Sequence, residues 1–234
     1  MPTEIRNWHQ LDAQARARLL QRPAVSEDAA IREQVETIVT AVRNGGDAAL
    51  RQYTNKLDGA DLETARVSDD EIASASAALD AAAVAAIDLA IENVRRFHEA
   101  QRPTDISVET MPGVTCEQVS RPIGAVGLYV PAGTAPLPST AIMLAVPSSI
   151  AECPVRIICT PPRPDGKADP AVLVVAEECG ISAVFKLGGA QAIAAMAYGT
   201  ETVPKVDKIF GPGNAWVTAA KTEVSGDPAG AALD

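Results

Sequence analysis

Aromatic side chains are scarce in this chain, at 3% of 234 residues. Hydrophobic residues still make up 47%, so a core has to be built from Ala, Val, Ile and Leu. Basic residues are also in short supply: 20 Lys and Arg face 30 Asp and Glu, for a net charge of −10. That balance excludes the clustered cationic surface that nucleic acid requires. No apolar run is long enough to span a bilayer, and the opening MPTEIRNWHQ lacks the basic-then-apolar order of a signal peptide. The expected location is the cytoplasm, with no nucleic acid or membrane partner. Cysteines are few and badly spaced for metal. Cys116, Cys153, Cys159 and Cys179 form no C-x-x-C pair and have no neighbouring histidine in sequence, which argues against a zinc site made from them. Without an export signal a disulfide framework is not expected, and the four are read as packing residues. The phosphate-binding fingerprint G-x-G-x-x-G is missing throughout.

What is present falls into four stretches. Residues 1–103 read as a helical region. It begins with a short arm, where Trp8 and Leu11 could anchor on a neighbour and Arg16, Arg18 and Arg22 form a solvated face ending at Pro23. A helix then opens at Ser26, with Glu27 and Asp28 in its first turn, and carries Ile31, Val35, Ile38, Val39 and Val42 at helical spacing. Asn44-Gly45-Gly46 stops it. A second helix holds Leu50, Tyr53 and Leu57 and ends near Asp58-Gly59. Ser68 to Glu71 has the pattern of a capping box. Asp80 caps the longest helix, with Val84, Ile87, Ile91 and Val94 on one stripe, which must stop before Pro103. Residues 104–122 read as a hairpin around Met111-Pro112-Gly113.

Residues 123–225 alternate strand and helix. Strands are expected over Gly124–Val130, Val155–Cys159, Ala183–Leu187 and Val206–Phe210. Helices are expected over Ser139–Glu152, Ala171–Cys179, Ala190–Ala197 and Ala215–Val224, the first kinked or ended by Pro147. Short strands joined by crossover helices give a Rossmann-like parallel sheet with helices on both faces, in the α/β class. Residues 226–234 read as a linker loop cut in mid-course.

Ligands of such a sheet bind beyond the carboxyl ends of the strands. Four loops lie there: Tyr129–Ser139, Thr160–Pro164, Gly188–Gln191 and Gly211–Asn214. The stretch Lys208–Lys221, KIFGPGNAWVTAAK, carries the sharpest signal. Gly211 and Gly213 allow close backbone approach, Pro212 fixes one φ, and Asn214 is a good N-cap beside free N–H groups that suit a polar or anionic ligand. A plain connection between strand and helix would use the same residues. Of the two histidines, His9 lies in the arm and His98 near the end of a long helix, and both read as ordinary surface or satisfied residues. Glu177 and Glu178 read as a solvated pair, and Glu201 and Asp207 as parts of connecting turns.

The strings VPKVDKIF and GPGNAWV followed by AK resemble the histidinol dehydrogenase family. So do GLYVPAGTAPLPST at Gly127–Thr140 and GGAQAIAAMAYGTE ending at Glu201. The resemblance runs from about Trp8 to Asp234, whereas family members are roughly twice as long; the chain looks like the N-terminal half of one. The resemblance implies oxidation of L-histidinol through L-histidinal to L-histidine, in histidine biosynthesis, with two NAD and a zinc ion, by a homodimer. It implies NAD contacts at Tyr129, Gln191 and Asn214. The phenol and the two amides can hydrogen-bond a nucleotide without charge. On position alone, Tyr129 could instead be a half-buried strand-end aromatic, and Gln191 and Asn214 helix caps. Ser139 could cap its helix, neighbour NAD or do both, with capping preferred. By the same resemblance the zinc ligands and an acid–base Glu–His pair lie beyond residue 234, so no catalytic or metal residue is assigned, and the chain alone is expected to be inactive and free of stoichiometric zinc. The alternative is a non-catalytic nucleotide-binding module derived from the family. An aldehyde-dehydrogenase-like enzyme would need a nucleophilic cysteine in a strand-end loop, which neither Cys153 nor Cys159 supplies.

Overall fold

The computed structural model describes residues 5–20, 29–132 and 135–234. Arg22, Pro23, Ser26, Glu27 and Asp28, read above as the end of the arm and the start of a helix, lie outside the described residues. The helices are α1 (Ala13–Leu20), α2 (Ala29–Asp58), α3 (Asp69–Ala73), α4 (Ala81–Glu99), α5 (Pro138–Ile150), α6 (Pro170–Glu178), α7 (Gly189–Tyr198) and α8 (Ala215–Ser225). The strands are β1 (Ile106–Met111), β2 (Val114–Gln118), β3 (Ala125–Tyr129), β4 (Val155–Thr160), β5 (Ala183–Lys186), β6 (Lys208–Phe210) and β7 (Ala232–Leu233).

Five strands form one parallel sheet in the order β5-β4-β3-β6-β7. Successive strand residues face opposite sides, and both sides are apolar. Val126, Leu128 and Val130 of β3 and its continuation meet α3 to α6 on one face, while Tyr129, Ile157, Cys159, Phe185 and Ile209 meet α2, α7 and α8 on the other. Burial on both faces is why these strands read as near-continuous apolar runs. The helices of the first hundred residues therefore join both layers: α2 packs on α7 and α8, and α4 packs on α5 and α6.

Several expectations need correction. Residues 226–234 are not an open loop, since Ala232 and Leu233 pair with Lys208 and Ile209 as an edge strand. On the other edge, Arg66 bridges antiparallel to Phe185, with Val67 N–H donating to Val184 O and Lys186 N–H to Ala65 O. Pro147 does not end α5: the ring removes a single N–H, and Ala151 N–H still bonds the Pro147 carbonyl at 2.9 Å. Ser139 is not the cap of α5. The cap position is Leu137, without a side-chain bond, and Pro138 opens the helix, which suits its fixed φ and missing N–H. Leu57 is 52% exposed and stays out of the core. Cys116 is exposed on β2, while the other three cysteines are buried, and all four are free thiols.

Other local readings hold. Gly46 adopts φ 52 and ψ −139, breaking α2 into two helical segments, a conformation that a Cβ disfavours. Glu201 Oε2 accepts from Asp47 N–H at 2.7 Å just past that break. Ser68 and Asp80 cap α3 and α4 through Glu71 N–H and Ala83 N–H. The box at Ser68 is one-sided, because Glu71 Oε1 accepts instead from Ala168 N–H at 2.9 Å. β1 and β2 form the expected antiparallel hairpin, turning at Pro112-Gly113. No helix among the described residues is long and apolar enough to cross a membrane.

Candidate functional site

The chain runs β3 to β4 to β5 in one direction across the sheet and then returns to place β6 on the far side of β3. The loops after β3 and β6 consequently diverge, with α5 on one face and α8 on the other. Such a divergence leaves a crevice at the carboxyl ends of the two strands. A cavity of about 590 Å³ opens there, and Tyr129, Gln191 and Asn214 all line it. Its volume lies within the range of small-molecule sites. The wall opposite the strand ends is α2, which contributes Tyr53, Lys56, Leu57 and Asp58.

Tyr129 ends β3 at 3% exposure, and its Oη accepts from Gly189 N–H at 3.0 Å. Burial pushes the phenol up to about 12, against the opposing Gly189 bond and with the Asp58 charge adding to the rise. It is therefore a neutral group at physiological pH, with its own proton left as a donor. Gln191 lies in the first turn of α7 and is fully buried. It does not cap that helix: the cap is Gly188, without a side-chain bond. Its Nε2 instead donates to Asp58 Oδ2 at 3.0 Å, and its Oε1 has no partner among the described residues. Asp58 is half-buried at the last position of α2. Burial is the larger influence on it and pushes the carboxyl above its usual range, against the bonds from Gln191 and Gly188 N–H.

Asn214 does cap α8. Its Oδ1 accepts from Trp216 N–H and Val217 N–H, both at 3.1 Å, which leaves its amide nitrogen as the group available to a ligand. The Gly-Pro-Gly turn before it is shaped by the protein's own backbone. Gly211 has φ +125, and a Cβ there would collide with the Tyr129 carbonyl oxygen. The close approach expected at this glycine is thus to β3, and a Cβ at Gly213 would meet the Val217 side chain. Buried Lys221 fastens the turn: its Nζ donates to Gly211 O at 3.1 Å and pairs with the Asp234 carboxylate. Asp234 Oδ2 also accepts from Gly211 N–H at 3.1 Å. Burial works to raise the Asp234 carboxyl, but Lys221 and the Gly211 N–H outweigh it and hold it below its ordinary range.

The N-termini of α7 and α8 are thus partly closed by the protein itself, through Tyr129 and Asn214. Among the described residues, Lys56 is the one cation that lines the cavity, and Tyr53, Tyr129 and Trp216 line it in an aromatic-poor chain. Sequence reasoning missed Lys56 and Asp58, which come from a helix far away in the chain. One signal pointed to Asp58: a carboxylate at a helix C-terminus runs against the helix dipole. His98 is half-buried on α4 with its ring edge-on to Phe97 at 5.7 Å, and Glu177 and Glu178 are exposed. Asp207 Oδ2 accepts from Ala125 N–H at 2.8 Å, a connecting-turn role. Among the described residues no group of three or more His, Cys, Asp or Glu side chains is placed to hold a metal ion.

Residues 20–232 match the family described as Histidinol dehydrogenase. The chain is similar to the histidinol dehydrogenase of Xanthomonas campestris pv. campestris, at 53% identity over 228 residues, covering 97% of this chain and 53% of the relative. The same protein of Vibrio vulnificus (strain CMCP6) is 52% identical over 227 residues, covering 97% and 52%. Among solved structures, histidinol dehydrogenase from Elizabethkingia anophelis superposes with a TM-score of 0.88 at 42% identity, covering 96% of this chain and 51% of that one. The chain thus spans about half the length of the relatives it matches.

Proposed function

The chain belongs to the histidinol dehydrogenase family, and from that premise we propose that it forms the NAD-binding half of an enzyme oxidising L-histidinol through L-histidinal to L-histidine. The observation that carries the proposal is the convergence of Tyr129, Gln191 and Asn214 on one cavity at the carboxyl ends of β3 and β6. NAD supplies the hydride acceptor for each of two oxidations. The residues present suit it: a buried carbonyl oxygen on Gln191 lacks a partner among the described residues, Tyr129 and Asn214 offer neutral donors, and Lys56 carries a positive charge beside the cavity for a pyrophosphate. Tyr53 and Trp216 provide aromatic faces on which a base can stack. The roles of Tyr129, Gln191 and Asn214 are to bind and orient the nucleotide; none of them is assigned a proton transfer.

For zinc, the described residues offer no set of ligands. Its ligands and the acid–base pair are proposed to lie in the half that this chain does not cover. The complete protein is proposed to act as a homodimer in the cytoplasm.

The test has two parts. NAD should quench or shift the fluorescence of Trp216 in the chain carrying Trp8→Phe, saturably and at higher NAD concentrations in Gln191→Ala. The complete protein should form NADH from L-histidinol, with a raised KM for NAD in Tyr129→Phe. Saturable binding that Gln191→Ala leaves untouched would overturn the assignment of the cavity.

A further inference from the structure

Asp58 and Gln191 are 133 positions apart in sequence, yet their side chains meet on the wall of the cavity. We propose that Asp58 is a positioning residue: it fixes the Gln191 carboxamide with its nitrogen towards α2, so that Oε1 serves as the acceptor for an N–H or O–H donor of the bound nucleotide. This rests on the reading of the cavity as a nucleotide site.

A carboxylate only accepts, whereas a carboxamide offers one end of each kind. With Asp58 Oδ2 at 3.0 Å from Nε2, the opposite orientation would set two acceptors against each other. The orientation of Gln191 is therefore dictated by its neighbour. What remains is an oxygen without a partner among the described residues, beside Gly189, where a Cβ would stand 2.9 Å from it. A buried acceptor left unpaired is costly, and a donor from a ligand removes that cost. Helix capping does not explain Gln191, because its side chain makes no bond to its own helix terminus. Stability does not explain Asp58 either. It sits at the C-terminal end of α2, where a negative charge is disfavoured, and its burial disfavours the charge further. Tyr129 receives the Gly189 N–H at 3.0 Å, so the turn that presents Gln191 is also fastened to β3.

The experiment is a double-mutant cycle read by calorimetric NAD titration of the complete protein carrying this chain. Asp58→Ala and Gln191→Ala should each weaken NAD binding about tenfold, and the double variant should be no weaker than either alone. A reversal of donor and acceptor supplies the second arm. Gln191→Glu alone should abolish measurable binding by placing two carboxylates together; combined with Asp58→Asn, whose amide can donate to the new carboxylate, binding should return to within about tenfold of wild type. A third readout needs no nucleotide: the side-chain ¹⁵N signal of Gln191 should move in Asp58→Ala. Losses that add in the double variant, or a reversal that rescues nothing, overturn the role of Asp58 while NAD binding by the wild type stands. A wild type that binds no NAD overturns the cavity assignment and this inference with it. If Asp58→Ala melts too low to titrate, the reversal arm decides.

Discussion

Replacing Gly211 by Ala strikes the joint between β6 and the cavity. Two costs combine there. A φ of +125 belongs to a region that residues with a Cβ adopt only under strain, of about 1–3 kcal/mol. The added Cβ would also run into the Tyr129 carbonyl, which is backbone and cannot swing aside; forced overpacking of this kind costs about 1–3 kcal/mol. Together they come to roughly 2–6 kcal/mol. For a chain of this length 1 kcal/mol moves Tm by about 2–4 °C, so the expected fall is about 4 °C at least. The turn can relieve the clash only by moving away from β3, which pulls Gly211 O from Lys221 Nζ and shifts Asn214. Thermal unfolding followed by circular dichroism should show the fall in Tm, and NAD titration a weaker affinity. Gly226→Ala is the control: its φ is −78 and its nearest contact would be an ordinary 3.5 Å, so Tm should hold or rise slightly. Equal melting of Gly211→Ala and wild type would refute the reasoning.

Three further outcomes are expected. Tyr129→Phe leaves the Gly189 N–H without its acceptor, a loss of about 1–3 kcal/mol, so Tm should drop by several degrees; an unchanged Tm would remove that bond from the description. Asp58→Asn should change the pH dependence of stability. The folded carboxyl titrates above its ordinary 3.8, so its contribution is fully present below that value and is lost as pH rises through the folded pKa. Melting curves should therefore show the variant gaining on the wild type as pH rises from about 3 to 7, and a difference that is flat with pH would contradict this. Lys56→Ala should leave Tm unchanged but weaken NAD binding several-fold at low salt and less at high salt; a salt-independent loss would mean that its charge is not what the nucleotide meets.

Much of this architecture is legible from residues that act locally. Strands buried on both faces announce themselves as apolar runs, and Ser68, Asp80 and Asn214 cap the helices that follow them because a cap needs only its next three residues. Legibility fails where the partner is distant. Nothing near Asp58 indicates that it meets Gln191, and nothing near Ala65–Val67 indicates that they shield the edge of β5. The two-residue strand Ala232–Leu233 is too short to carry a periodic signal and exists because β6 offers it a free edge. Ser139 misled because a good capping residue sits beside Pro138, whose fixed φ starts the helix one position earlier. The turn residues mark Gly211 as a site of close approach, and the group it approaches is the backbone of Tyr129, distant in sequence.

A crystal structure of the protein with NAD is the most direct measurement. Nucleotide density is expected in the cavity between α2 and the ends of β3 and β6, within hydrogen-bonding reach of Tyr129, Gln191 and Asn214. Density on the opposite face of the sheet, among α4, α5 and α6, with that cavity filled only by solvent, would contradict the assignment of this crevice to the nucleotide.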